Sequence, residues 1–130
     1  MKWFKEYNAN PYGENIDDCV IRAISVALDI NYWDVFDELC EYAGDNREPN
    51  QCNVFLPWLI KQGYEVREVT EKLTLSKFLN NLHKCDNVED VNMLCMVNGH
   101  LTVIKNGYCL DTWDAGRYKL NFIIIKDVEY

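Results

Sequence analysis

The apolar pattern of this chain changes period at Gly63, and that change limits the folds open to it. Before Gly63 the apolar residues recur at helical spacing; after it they fall mostly into short, strand-length runs. In CVIRAISVAL, residues 19–28, Val20, Ala23, Ile24, Ala27 and Leu28 share one helical face. Asp17 and Asp18 stand just ahead, where a capping carboxylate belongs. Asn31 opens a second helix, with Trp33, Phe36, Leu39, Cys40 and Ala43 on one face and Gly44 as its C-cap. A third helix is expected over 51–62, where Pro57 requires either a first-turn position or a kink.

Beyond Gly63, residues 64–69 read as a strand and 74–82 as a short helix capped by Thr74. Strands are expected at 91–97, 100–105, 108–113 and 119–125. Asn98-Gly99 and Asn106-Gly107 are tight-hairpin signals, because both central residues of such a turn need positive φ. Residues 1–18 read as a short edge strand followed by a polar loop. Helices followed by an antiparallel meander define an α+β class, in one domain over residues 1–130.

Composition narrows the function. The formal charge is −8, and the basic residues are scattered singly, which excludes a direct electrostatic nucleic-acid binder. No apolar run approaches the roughly 20 residues of a membrane span, and MKWFKEYN lacks the apolar core of an export signal. A cytoplasmic location follows as the expectation, and with it six reduced cysteines, most of them small buried apolar residues. His83 and Cys85 form an HxC without a CxxC partner, so no metal site and no cofactor are expected, and His83 should be exposed. Trp3, Trp33 and Trp58 read as core.

One constellation carries chemistry. Cys19 opens a helix, where the macrodipole favours the thiolate form. A two-residue turn at Asn106-Gly107 pairs Lys105 with Tyr108, Ile104 with Cys109, Val103 with Leu110, and Thr102 with Asp111. His100 then shares a face with Thr102, and Asp111 lies diagonal to it within reach of the ring. Cys19 as nucleophile, His100 as base and Asp111 as the group orienting His100 is the logic of thiol hydrolases. Arg22, one turn after Cys19, either anchors its helix to an acidic loop, lowers the thiol pKa or binds a substrate carboxylate. Trp113 is either a shield over the His–Asp bond or core. The polar loop 44–53 either lines the cleft or is only solvated.

The order of these residues resembles the papain-like cysteine peptidase fold. Asp18-Cys19-Val20-Ile21-Arg22-Ala23-Ile24 looks like the nucleophile helix of several such groups, including ovarian-tumour-type deubiquitinases. Gly99-His100 before an apolar strand, then Leu110-Asp111, is similar to bacteriocin-leader peptidase domains. Asp111-Thr112-Trp113 parallels the Asn-x-Trp of papain relatives, where the Trp shields the His–Asn bond. Over nearly its whole length the chain resembles small proteins of phages and mobile elements of Gram-positive bacteria. The matching stretches are Asn8 to Gly13, Asp18 to Ala23 and Asp111 to Gly116.

Two departures stand out. Position 13, near which papain relatives carry an oxyanion-binding Gln, is Gly13, and position 16, where the ovarian-tumour-type motif has Asp, is Ile16. Asn10 is the favoured oxyanion donor beside the Cys19 N–H, with Asn15 nearer in sequence; Asp18 and Trp113 are supporting residues. The resemblance implies a thiol hydrolase cutting a peptide, isopeptide or amide bond of a host protein or peptide. A deamidase or acyltransferase would use the same three residues. The alternative is a non-catalytic binding module, such as a phage-encoded antagonist, whose acidic surface suits a basic partner or mimics nucleic acid. A monomer is expected, with a sheet-edge dimer through 119–125 as the alternative.

Overall fold

In the computed structural model, residues 1–14 and 16–126 are described. Six strands form one mixed sheet: β1 (Phe4–Glu6), β2 (Tyr64–Glu68), β3 (Asn92–Val97), β4 (His100–Lys105), β5 (Tyr108–Asp111) and β6 (Leu120–Lys126). Their spatial order is β1-β5-β4-β3-β6-β2. Four helices accompany them: α1 (Cys19–Leu28), α2 (Tyr32–Ala43), α3 (Cys52–Lys61) and α4 (Leu75–Leu82). The class is α+β.

Alternation along the strands divides the core in two. Leu94, Met96, Leu101, Val103 and Ile124 pack with Val20, Ile24, Val35, Leu39, Phe55 and Leu59 from α1, α2 and α3. Cys95, Val97, Ile104, Cys109 and Leu120 pack instead with Leu75 and Leu79 of α4. No helix among the described residues is long and apolar enough to cross a membrane.

The turn signals are where the sequence puts them. Asn98 and Gly99 have φ of 50° and 77°, and Asn106 and Gly107 have 54° and 82°. Such turns match the right-handed twist of the strands they join. Thr74 caps α4 by accepting from the Lys77 N–H, and Asn31 caps α2 by accepting from the Trp33 N–H.

Pro57 stands well inside α3 and leaves the Asn53 carbonyl without its helical donor. Arg47 Nη1 donates to that oxygen at 3.3 Å, while Nε and Nη2 donate to Ala43 O and Tyr42 O at the end of α2. One guanidinium thus joins two helix defects across the 44–51 loop.

Several expectations are corrected. The sheet is not purely antiparallel, because β1 runs parallel to β5. The meander stops at β5: the chain crosses back, and β6 inserts between β3 and β2. With β6 paired on both sides, residues 119–125 offer no free edge for a dimer; the edges are β1 and β2. The buried face of α2 is Tyr32, Val35, Leu39 and Ala43, so Trp33 lies outside the core, 41% exposed. Only Cys95 and Cys109 are buried among the six cysteines, and Cys52 and Cys85 are exposed. His83 is half-buried, stacked on Trp3 at 3.5 Å, with Nε2 donating to Gly107 O at 2.7 Å.

Candidate active site

The site forms where the start of α1 meets the open end of the β4–β5 hairpin. Cys19 is the first residue of α1 and is half-buried. Asp18 is the N-cap by position, but its side chain makes no capping bond. Its Oδ1 accepts from Arg22 Nε at 2.6 Å, and its Oδ2 accepts from the Tyr32 hydroxyl at 2.7 Å and from Asn10 Nδ2 at 3.0 Å. The expected cap is replaced by a buried anchor, because a carboxylate bonded to a cation gains more than one bonded to a backbone amide.

The β4–β5 register pairs Lys105 with Tyr108, Ile104 with Cys109 and Val103 with Leu110. That register brings His100 Nε2 to 2.6 Å from Asp111 Oδ2. The Asp111 side chain is 4% exposed and that of His100 13%. Asp111 Oδ1 accepts from Arg22 Nη1 at 3.1 Å and from the Thr112 N–H at 2.7 Å. Arg22 Nη1 also donates to Thr112 Oγ1 at 3.2 Å. One buried arginine therefore holds both Asp18 and Asp111, and joins the first turn of α1 to the last residue of β5.

These contacts set the protonation states. Burial works against ionised Asp111, but hydrogen bonds from His100, Thr102 and the Thr112 N–H hold its carboxyl below its ordinary range. Burial also pulls His100 down. Its bonds to Asp111 and to Cys19, together with their charges, outweigh that and carry it up to about 9. Burial lowers Arg22 too, yet Asp18 and Asp111 raise it overall, so its charge is permanent. Nε2–H points to Asp111, which leaves Nδ1 as the ring nitrogen for a second partner, and Cys19 is among the groups that raise His100.

The remaining sequence candidates divide. Trp113 is 42% exposed and tilted over the His100 ring at 4.7 Å, so it covers one side of the imidazole and is not core. Asn10 is buried, its Oδ1 accepts from the Tyr12 N–H at 2.9 Å, and its amide donates to Asp18. Asn15 lies outside the described residues. The 44–53 loop reaches the site only at its margin, where Asn50 Nδ2 is 3.5 Å from Asp17 Oδ2. Tyr32, Thr102 and Thr112 were missed as site residues. The i, i+4 spacing of Asp18 and Arg22 was a readable ion-pair signal, but nothing local announced Arg22's second carboxylate.

The cavity at the site is small. The cavity beside Cys19, lined also by Tyr7, Ala9, Leu101 and Leu110, has a volume of about 10 Å³. No family model, curated protein or solved structure matches this chain.

Proposed function

We propose that the protein is a papain-like thiol hydrolase acting on a peptide, isopeptide or amide bond through Cys19, His100 and Asp111. The observation that carries this reading is the part-buried 2.6 Å His100–Asp111 bond at the start of the helix that Cys19 opens, with Cys19 among the groups that raise His100. Asp111 holds the ring and stabilises the imidazolium; Cys19 supplies a thiolate at a helix N-terminus.

The thiolate attacks the carbonyl carbon and forms the C–S bond. The oxyanion faces the Cys19 N–H, which as a first-turn amide has no intrahelical partner. The His100 Nδ1 proton passes to the leaving amine as the C–N bond breaks. Water then attacks the thioester and gives its proton to His100, and the thiolate leaves with the acid product released. A deamidase follows the same steps with ammonia as the leaving group, and an acyltransferase replaces water by an amine. The substrate is a host protein or peptide in the cytoplasm.

The cavity beside Cys19 itself holds only about 10 Å³, which favours a second reading, a non-catalytic binding protein on the same fold. Site-mapped alkylation of the native protein by iodoacetamide from pH 5 to 9 separates the two. The hydrolase reading expects Cys19 to react below pH 7 at least about tenfold faster than exposed Cys52 and Cys85, and His100→Ala to remove that advantage. Equal rates at Cys19, Cys52 and Cys85 would leave the binder.

A further inference from the structure

Six large apolar side chains stand exposed among the described residues: Tyr7, Tyr12, Ile16, Trp33, Ile60 and Trp113. Three of the six lie near Cys19 in space or in sequence, and two more connect to Asp18 through hydrogen bonds and ring contacts. The Trp113 ring lies against His100. Tyr7 lines the cavity beside Cys19, and its N–H donates to Asp111 O at 2.8 Å. Ile16 is on the loop leading into α1, and its carbonyl accepts from the Asp18 N–H at 2.9 Å. Tyr12 and Trp33 meet edge to face at 6.0 Å. The first is tied to Asp18 through Asn10, and the second packs on Tyr32, whose hydroxyl also reaches Asp18. A folded protein scatters exposed aromatics singly unless a surface is used.

Charge follows the same segment. Between residues 6 and 46 the chain carries ten Asp and Glu and a single basic residue, Arg22, which is buried and bonded to two carboxylates. The rest of the chain is near balance, with eleven acidic and twelve basic residues. Asp34 and Asp37 are exposed beside Trp33, and Asp37 follows it by one helical turn. An exposed indole with a carboxylate one helical turn away and further acidic residues on the same helix attracts guanidinium and ammonium groups twice over, by the ring quadrupole and by charge.

We propose that the Tyr12–Trp33 surface with Asp34 and Asp37 docks an arginine- and lysine-rich protein segment carrying apolar side chains, and delivers it to Cys19. This deepens the thiol-hydrolase reading and rests on it for the fate of the segment, though not for its binding. A small cavity at Cys19 suits such a substrate, because affinity then comes from an extended surface.

The test uses the full chain carrying Cys19→Ser and two pools of fluorescein-labelled short peptides with the same Trp, Tyr and Leu content. One pool has Arg and Lys elsewhere, the other Asp and Glu. At low salt the basic pool should bind about tenfold or more tighter by anisotropy, with affinity falling as ionic strength passes about 0.1 M. Trp33→Ala, and Asp34→Lys with Asp37→Lys, should each weaken it about fivefold or more, whereas Glu65→Lys with Glu68→Lys on β2 should not. Equal binding of the pools, or equal loss in the β2 control, overturns the proposal. Selective binding by the Cys19→Ser chain, with Cys19 of the wild-type protein alkylating no faster than Cys52, keeps the docking surface and removes the hydrolase.

Discussion

The two histidines of this chain occupy comparable settings and differ in one respect that decides their chemistry. Each is half-buried, and each lies against a tryptophan: His100 beneath Trp113, His83 stacked on Trp3. Each commits Nε2 to an oxygen at nearly the same distance, 2.6 Å for His100 and 2.7 Å for His83. The oxygen differs. Asp111 is a carboxylate held in place by Arg22, whereas Gly107 offers a neutral backbone carbonyl. A carbonyl can only fix a tautomer; a buried carboxylate also raises proton affinity and stabilises the cation. Burial and aromatic contact alone do not mark a reactive histidine. The ionic partner is what separates His100 from His83 and what the proposed mechanism uses.

The largest expected effect concerns the arginine behind that partner. Arg22→Met leaves the Asp18 and Asp111 carboxylates, 3% and 4% exposed, without their cation. Urea denaturation should show a loss of about 3–5 kcal/mol, against about 1–2 kcal/mol for His83→Leu, which removes one hydrogen bond and alters a stack. Comparable losses would mean that Asp111 is not charged in the folded protein.

Asp111→Asn addresses the proton directly. His100 then falls from about 9 toward its ordinary 6.5. Because the folded protein holds this proton more tightly than the unfolded chain, wild-type stability from His100 is complete below pH 6.5 and is lost as pH rises through about 9. Asp111→Asn should flatten that decline in urea midpoint. It should also slow Cys19 alkylation at pH 7 by about ten- to a hundredfold and move the rise of the alkylation pH–rate profile to higher pH. An unchanged profile would place the two histidines on the same footing.

The smallest effect separates the two tryptophans. Trp113 is 42% exposed, so Trp113→Ala should change stability by less than about 1 kcal/mol while altering the Cys19 alkylation rate. Trp3→Ala, losing a half-buried stack and the indole bond to Asn80, should cost more and leave Cys19 unaffected. Thermal melts and the same alkylation assay read both.

The parts of this site that were legible in the sequence are those set by neighbours along the chain. Asn106-Gly107 admits one tight turn, the turn fixes the β4–β5 register, and the register alone brings Asp111 to His100. Helix positions followed from apolar spacing in the same way, although the buried face of α2 came out rotated, because Trp33 and Val35 are equally apolar to a periodicity count. What was hidden was non-local. Strand order is not written in alternation, so the insertion of β6 between β3 and β2 and the parallel pairing of β1 could not be read. Asp18 looked like a helix cap because caps and ion-pair anchors use the same residue at the same place. Arg22's reach to Asp111 spans 89 residues.

That span has a temporal meaning. Synthesis proceeds from the N-terminus at about 5–20 residues per second. Cys19 and Arg22 are therefore made on the order of ten seconds before Asp111, and β1 waits as long for β5, the strand it pairs with. Throughout that interval Arg22 has only one of its two carboxylates. On the proposed reading the three residues of the triad come together only when the β4–β5 hairpin closes on the first turn of α1.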